Sequence, residues 1–164
     1  MIPNKYPHPL ISKLLDKTRG ENWFTSLHLT NVYNLIRIAA GDKWKTAFCI
    51  QPGHFAHTVK RFSLTNAPVS FPEMIDAIFK DMEKCISYLN DILICGDNTK
   101  AELLAMVEIV LQQCVKHGLT VNLLNSEFHV KRSIFLLHVT NGQEGKMDLS
   151  KPKSWSKWLI PTKK

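Results

Sequence analysis

The chain has 164 residues, 45% of them hydrophobic and 21% charged, a balance that excludes wholesale disorder and collagen-like or low-complexity composition and fits one packed core. Apolar runs such as Ile134 to Leu137 fall far short of the roughly 20 residues of a bilayer span, so no membrane segment is expected. The start offers no apolar signal region and no Asn-x-Ser/Thr acceptor occurs, which makes an intracellular chain the expectation. From Lys146 onward six lysines face Asp148 alone, so five of the seven net positive charges lie at the C-terminal end. Residues 151–164 therefore read as a basic tail, either a solvated end or a contact for phosphates.

In chain order, Leu10, Ile11, Leu14 and Leu15 predict a short helix within Pro9 to Lys17. A strand from Phe24 to Leu29 follows, with Leu27 and Leu29 on one face and Phe24, Ser26 and His28 on the other. Lys45 to Ile50 and Phe55 to Arg61 read as a hairpin about Gln51-Pro52-Gly53-His54. Phe71, Met74, Ile75, Ile78, Phe79 and Met82 form an amphipathic helix. Ser70 and Glu73 read as its capping box, because Pro72 disfavours an interior position, so the helix is expected to begin near Phe71.

Cys85 to Tyr88 and Ile92 to Cys95 predict a second hairpin joined by Leu89-Asn90-Asp91. Thr99 and Glu102 cap a helix carrying Leu103, Val107, Val110, Leu111 and Cys114, and Gly118 closes it. Strands are expected at Leu119 to Leu123, Glu127 to Val130 and Ile134 to Thr140, giving an α+β fold without the regular alternation of a doubly wound sheet. Cys49, Cys85, Cys95 and Cys114 show no Cys-x-x-Cys pair and read as free, buried thiols. Cys49 with His54 and His57 lacks a fourth ligand for zinc.

A strand ending near His28 and a hairpin tip at Asn90 and Asp91 is the arrangement in which nucleotidyl transferases present carboxylates to two metal ions. The chain resembles the reverse transcriptase domain of gypsy-class long-terminal-repeat retrotransposons from about Ile2 to Pro161. Trp23 to Leu29 and Tyr33 to Ile38 are similar to the first catalytic strand and its turn. Phe62-Ser63-Leu64-Thr65-Asn66-Ala67-Pro68 is similar to the nucleotide-pocket motif, and Tyr88-Leu89-Asn90-Asp91-Ile92-Leu93-Ile94 to the catalytic hairpin. Glu127-Phe128-His129, Phe135 to His138 and Lys146 to Asp148 are similar to the primer-grip region.

The resemblance implies the palm of a right-hand polymerase over residues 1–150, with fingers incomplete and thumb mostly absent. It also implies the roles that this sequence departs from. The family carries Asp where His28 and Asn90 stand, so Asp91 is the remaining carboxylate. Ser63 and Leu137 replace glycines, Pro72 a Gln, Asn125 a Lys, Ser126 a Cys, and Arg61 a Pro. Tyr33, Phe62, Ser63 and Asn66 are the implied nucleotide-pocket positions.

Magnesium prefers hard, anionic oxygen ligands, so Asn90 and His28 are poor substitutes and Asp91 alone does not build a two-metal site. Beside these implied roles stand plainer readings of the same residues. His28 reads as an ordinary polar residue on the open face of a sheet or as a replacement metal ligand with Asp91. Asn90-Asp91 reads as a turn, and Tyr33, Phe62 and Phe71 as core aromatics. The expectation is a pseudoenzyme that needs no cofactor. RNA or DNA is its expected partner, held weakly and without sequence preference by Lys151, Lys153, Lys157, Lys163 and Lys164. A polymerase with residual Mg2+-dependent activity and a protein-interaction or decoy domain are the alternatives.

Overall fold

The computed structural model describes residues 6–7, 9–61, 67–96, 99–141 and 146–147. Its elements in order are α1 (Ile11–Asp16), β1 (Trp23–Thr30), β2 (Phe48–Ile50), β3 (Gly53–Phe55), α2 (Ala67–Phe79), β4 (Cys85–Tyr88), β5 (Asp91–Gly96), α3 (Lys100–Lys116), β6 (Thr120–Val121), β7 (Glu127–Val130), β8 (Ser133–Phe135), β9 (His138–Thr140) and β10 (Lys146–Met147). Short 3-10 segments at Val32–Leu35, Ala40–Thr46 and Leu123–Asn125 connect some of them.

β1 is the centre of an antiparallel sheet. β5 and then β4 lie on one side, and β6 and β7 pair with β1 on the other. The alternation read from the sequence holds along β1, but both faces of its first half are covered. Leu27, Leu29, Ile92 and Ile94 pack with Phe71, Ile75 and Phe79 of α2 and with Leu103, Val107 and Val110 of α3. Phe24, Leu93 and Cys95 pack on the opposite face with Leu14, Ile86 and Phe135. The face bearing His28 is thus open only at its far end, a correction that follows from the second cluster.

α2 begins at Ala67, a full turn before the expected start, and holds Pro72 in its interior. An interior proline costs about 3 kcal/mol. Burying a large apolar side chain returns about 1.5–3 kcal/mol, and Phe71, Ile75 and Phe79 are all at most 4% exposed, so packing overrides the local penalty. Ser70 consequently lies inside the helix rather than at its cap, and its Oγ accepts a 2.5 Å bond from Lys60 Nζ. The second predicted cap is present. Thr99 Oγ1 accepts from the Glu102 amide at 3.3 Å, and Gly118 follows the helix with φ +67°.

The remaining corrections concern short strands. Ile134 to Thr140 is a hairpin and not one strand: Leu136 and Leu137 turn with φ 51° and 67° between the paired Phe135 and His138. Tight hairpins need such left-handed residues and usually recruit Asn or Gly for them, so two leucines gave no turn signal. The β2–β3 hairpin turns at Gln51-Pro52 and is much shorter than predicted, with a 3-10 turn in place of a strand before Ala47. β6 spans two residues before the chain enters its 3-10 turn. Three cysteines are buried, but Cys49 is exposed, because the short β2 lies outside both clusters.

Candidate active-site cleft

β1 and β5 run antiparallel with Trp23 opposite Gly96 and His28 opposite Asp91. The same register that buries Phe24 against Leu93 and Cys95 therefore delivers His28 and Asp91 side by side at the far end of the two strands. The β4–β5 hairpin closes through Leu89, at φ 50°, and Asn90, with Tyr88 opposite Asp91. Asp91 is the first residue of the strand and not part of the turn.

The three side chains meet. His28 Nδ1 lies 2.8 Å from Asp91 Oδ1, and Asn90 Nδ2 lies 3.2 Å from His28 Nε2. With 31% and 40% of their side chains exposed, His28 and Asp91 form a solvent-facing pair, which is an ion pair whenever the imidazole is protonated. The backbone around them is fixed on every side. The Leu29 amide donates to Asn90 O at 2.7 Å, the Asn122 amide to His28 O at 2.8 Å, and the His28 amide to Ser126 Oγ at 3.1 Å. Ser126 Oγ donates in turn to Asn122 O at 2.7 Å. Ser126 thus ties the loop before β7 to the end of β1, a role that its separation of 98 residues from His28 hid from the sequence.

Tyr33 stands on the 3-10 turn that follows β1, after Asn31 in left-handed backbone. Its ring tilts at 50° on Phe71 with centroids 5.6 Å apart. Burial raises the Tyr33 hydroxyl above its usual 10.0, so it stays a protonated hydrogen-bond donor across the neutral range. Phe71 is fully buried and Tyr33 only partly so. The first is a core aromatic, and the second faces both the core and the cleft of His28, Asn90 and Arg61. The Lys60 ammonium beside Ser70 is shifted downward by burial. Phe62, Ser63, Asn66 and the lysines 151, 153, 157, 163 and 164 lie outside the described residues.

The donors at the strand ends do not fit a pair of magnesium ions, which take hard oxygen ligands in near-octahedral sets. One carboxylate is present, one of its oxygens is hydrogen-bonded to an imidazole, and its neighbours offer an amide and ring nitrogens. Among the described residues no group of three or more His, Cys, Asp or Glu side chains is placed to hold a metal ion, and no helix is long and apolar enough to cross a membrane.

The fold agrees with known proteins. The chain is 35% identical over 136 residues to the Transposon Tf2-3 and Tf2-4 polyproteins of Schizosaccharomyces pombe, covering 82% of this chain and 10% of each polyprotein. It thus spans about a tenth of the length of those relatives. Among solved structures it superposes on a foamy viral protease-reverse transcriptase in complex with double-stranded DNA. The TM-score is 0.87 over 98% of this chain and 28% of the other, at 17% identity. The native prototype foamy virus protease-reverse transcriptase gives a TM-score of 0.74 over 87% of this chain and 20% of the other, at 24% identity. The antiparallel sheet with its packed helices accordingly has the fold of those reverse transcriptases, and the model of the reverse transcriptase (RNA-dependent DNA polymerase) family matches residues 2–142. The chain belongs to that family and is homologous to retrotransposon polyproteins.

Proposed function

We propose that this reverse-transcriptase domain is catalytically silent and keeps only an affinity for nucleic acid. The observation that carries the reading is the 2.8 Å contact between His28 and Asp91. In place of a second carboxylate, a basic ring occupies the lone acid from which a metal site would be built. Losing members of a catalytic unit typically costs on the order of 10³-fold or more in rate, and here two of the three positions inferred from the family resemblance are changed.

Affinity for RNA or DNA would come from the C-terminal lysines 151, 153, 157, 163 and 164. Neutralising about five phosphates corresponds to a log-log salt slope of roughly −4 on duplex DNA, with no preference among sequences. Primer extension on an RNA or DNA template tests the silent reading, with magnesium and with manganese. The expected result is no template-directed nucleotide addition with either ion. Metal-dependent extension by the unchanged chain that disappears in Asp91→Ala would overturn it and leave a polymerase in its place.

A further inference from the structure

The β2–β3 hairpin holds a nucleophile and a base side by side, apart from the strand-end cleft. Its register sets Phe48 opposite Phe55, Cys49 opposite His54 and Ile50 opposite Gly53. Side chains alternate between the faces of a strand, so the two phenylalanines take one face, stacked with centroids 6.0 Å apart, and Cys49 and His54 take the other. Cys49 Sγ lies 2.9 Å from His54 Nδ1. Both residues are exposed, and neither lines the cleft of His28 and Asn90. Neighbouring titratable groups have other partners. His57 stacks on Phe48 at 5.0 Å, and Lys45 pairs with Asp42 in the preceding 3-10 segment.

A thiol becomes a good nucleophile only when it loses its proton, and a free thiol is ionised to only a few per cent at neutral pH. An imidazole nitrogen within hydrogen-bonding reach supplies an acceptor for that proton. The same Sγ–Nδ1 contact serves both states: the thiol donates to the bare ring nitrogen before transfer, and the ring N–H donates to the thiolate after it. The other three cysteines lack this access. Cys85, Cys95 and Cys114 are buried, and burial pushes their thiols up to about 12, about 12 and about 11. Of four cysteines, one meets solvent, and that one faces a base.

We propose that Cys49 is a reactive thiol, with His54 as its general base, and that it is a site of mixed-disulfide formation with low-molecular-weight disulfides. In the exchange Cys49 Sγ passes its proton to His54 Nδ1 and attacks one sulfur of the disulfide. The new S–S bond forms as the old one breaks, and the departing sulfur leaves as a thiolate that takes a proton from the ring or from water. One disulfide is consumed and one is formed, so the small disulfide is itself the oxidant.

The test is the reaction of the folded natural chain with Ellman's disulfide, which releases a coloured thiolate, and with oxidised glutathione read by intact mass. One thiol per chain is expected to react in a fast phase and to carry a single glutathione adduct, and Cys49→Ser should lose both. Fully ionising a thiol at about pH 7 raises its thiolate roughly thirtyfold, and the lower nucleophilicity of a stabilised thiolate cancels about half of that on a logarithmic scale. His54→Gln is accordingly expected to slow the fast phase about fivefold at about pH 7. At about pH 10 an accessible thiol ionises without help, so the two chains should react about equally. Circular dichroism should show the fold unchanged in both variants, because the hairpin lies outside both core clusters.

The natural chain gives a second reading that needs no variant. Between about pH 10 and about pH 7 its fast phase should slow less than the reaction of N-acetylcysteine does. The inference fails if no fast phase appears, if the fast phase survives in Cys49→Ser, or if the natural chain slows as much as N-acetylcysteine. It also fails if His54→Gln reacts as fast as the natural chain at about pH 7, or if the variant's deficit is as large at about pH 10, which would make His54 a support for the hairpin and not a base.

Discussion

The two ends of the β1–β5 ladder differ in what a substitution can do to them. At the end near Trp23, Phe24, Thr25, Leu93 and Ile94 are each 0% exposed, and clusters on both faces hold them. At the other end His28 and Asp91 remain about a third exposed and touch polar neighbours. Both ends share one hydrogen-bonded register, so the fold can stay intact while the chemistry at its open end changes. A core position changes volume at a cost in cavity energy, whereas removing one of several clustered carboxylates relieves repulsion. The difference explains how a chain keeps a reverse transcriptase fold while its strand ends carry His and Asn.

The largest effect is therefore expected in the closed end. Phe24→Ala should cost about 3–5 kcal/mol, a large share of the roughly 5–15 kcal/mol that holds an ordinary domain together. The readout is the denaturant midpoint at unchanged slope. A loss below about 1 kcal/mol would mean that the second cluster is not a core, and the contrast between the ends would collapse.

The open end should respond to charge and not to volume. His28→Asp with Asn90→Asp places three carboxylates together, and at least one should take up a proton with a raised pKa. A carboxyl raised in the folded state favours folding in acid, and the favourable contribution is lost as pH climbs through its folded pKa. The variant should thus fall below the natural chain near neutral pH and recover as pH drops beneath the carboxylate range. A divalent ion that binds only the folded cluster should also restore it, by about 2.7 kcal/mol at a hundredfold excess over its dissociation constant. Thermal unfolding of both chains in chelator and in manganese reads this. Equal midpoint shifts in the two would break the inference that these positions form a metal-binding constellation.

The closed end was largely legible in the sequence, because alternation along β1 and the helical period of α3 report burial directly. The apolar pattern of Phe71, Ile75 and Phe79 likewise located α2. Its start was not legible, since the local signals of Ser70 and Pro72 lost to packing by residues four apart on one face. Turns were legible only where their residues matched their backbone. Gly118 marked the end of α3, whereas Leu136 and Leu137 occupy left-handed positions without the residues that announce them. At the open end the family resemblance named His28, Asn90 and Asp91, and strand register brought them together. It gave no sign of Ser126, whose hydroxyl fixes the same strand end across 98 residues.

Leucine in the left-handed region costs about 1–2 kcal/mol relative to glycine's easy access, less the entropy glycine gains in the unfolded chain. Leu137→Gly should accordingly stabilise by about 1 kcal/mol or somewhat less, provided that the loss of the half-exposed leucine side chain costs little. Leu137 is 45% exposed, which makes it the better choice for isolating the backbone effect. The midpoint of thermal unfolding should rise, and a fall would show that the Leu137 side chain contributes more than its backbone strain takes away.

The smallest effect belongs to the contact that carries the functional reading. His28→Asn removes the 2.8 Å bond to Asp91, yet solvent reaches both partners, and exposed pairs are typically worth about 1 kcal/mol or less. The backbone bonds of His28 to Asn122 and Ser126 do not involve the ring and should survive. Stability should consequently drop by well under 1 kcal/mol, and the drop should shrink further in concentrated salt, which screens exposed charges. The comparison with Phe24→Ala is then made on one strand, four residues apart, with the larger cost at the closed end. A loss of several kcal/mol from His28→Asn would show the imidazole to be a structural keystone. Its presence would then be explained by folding, and the open end would no longer be free to change its chemistry independently of the core.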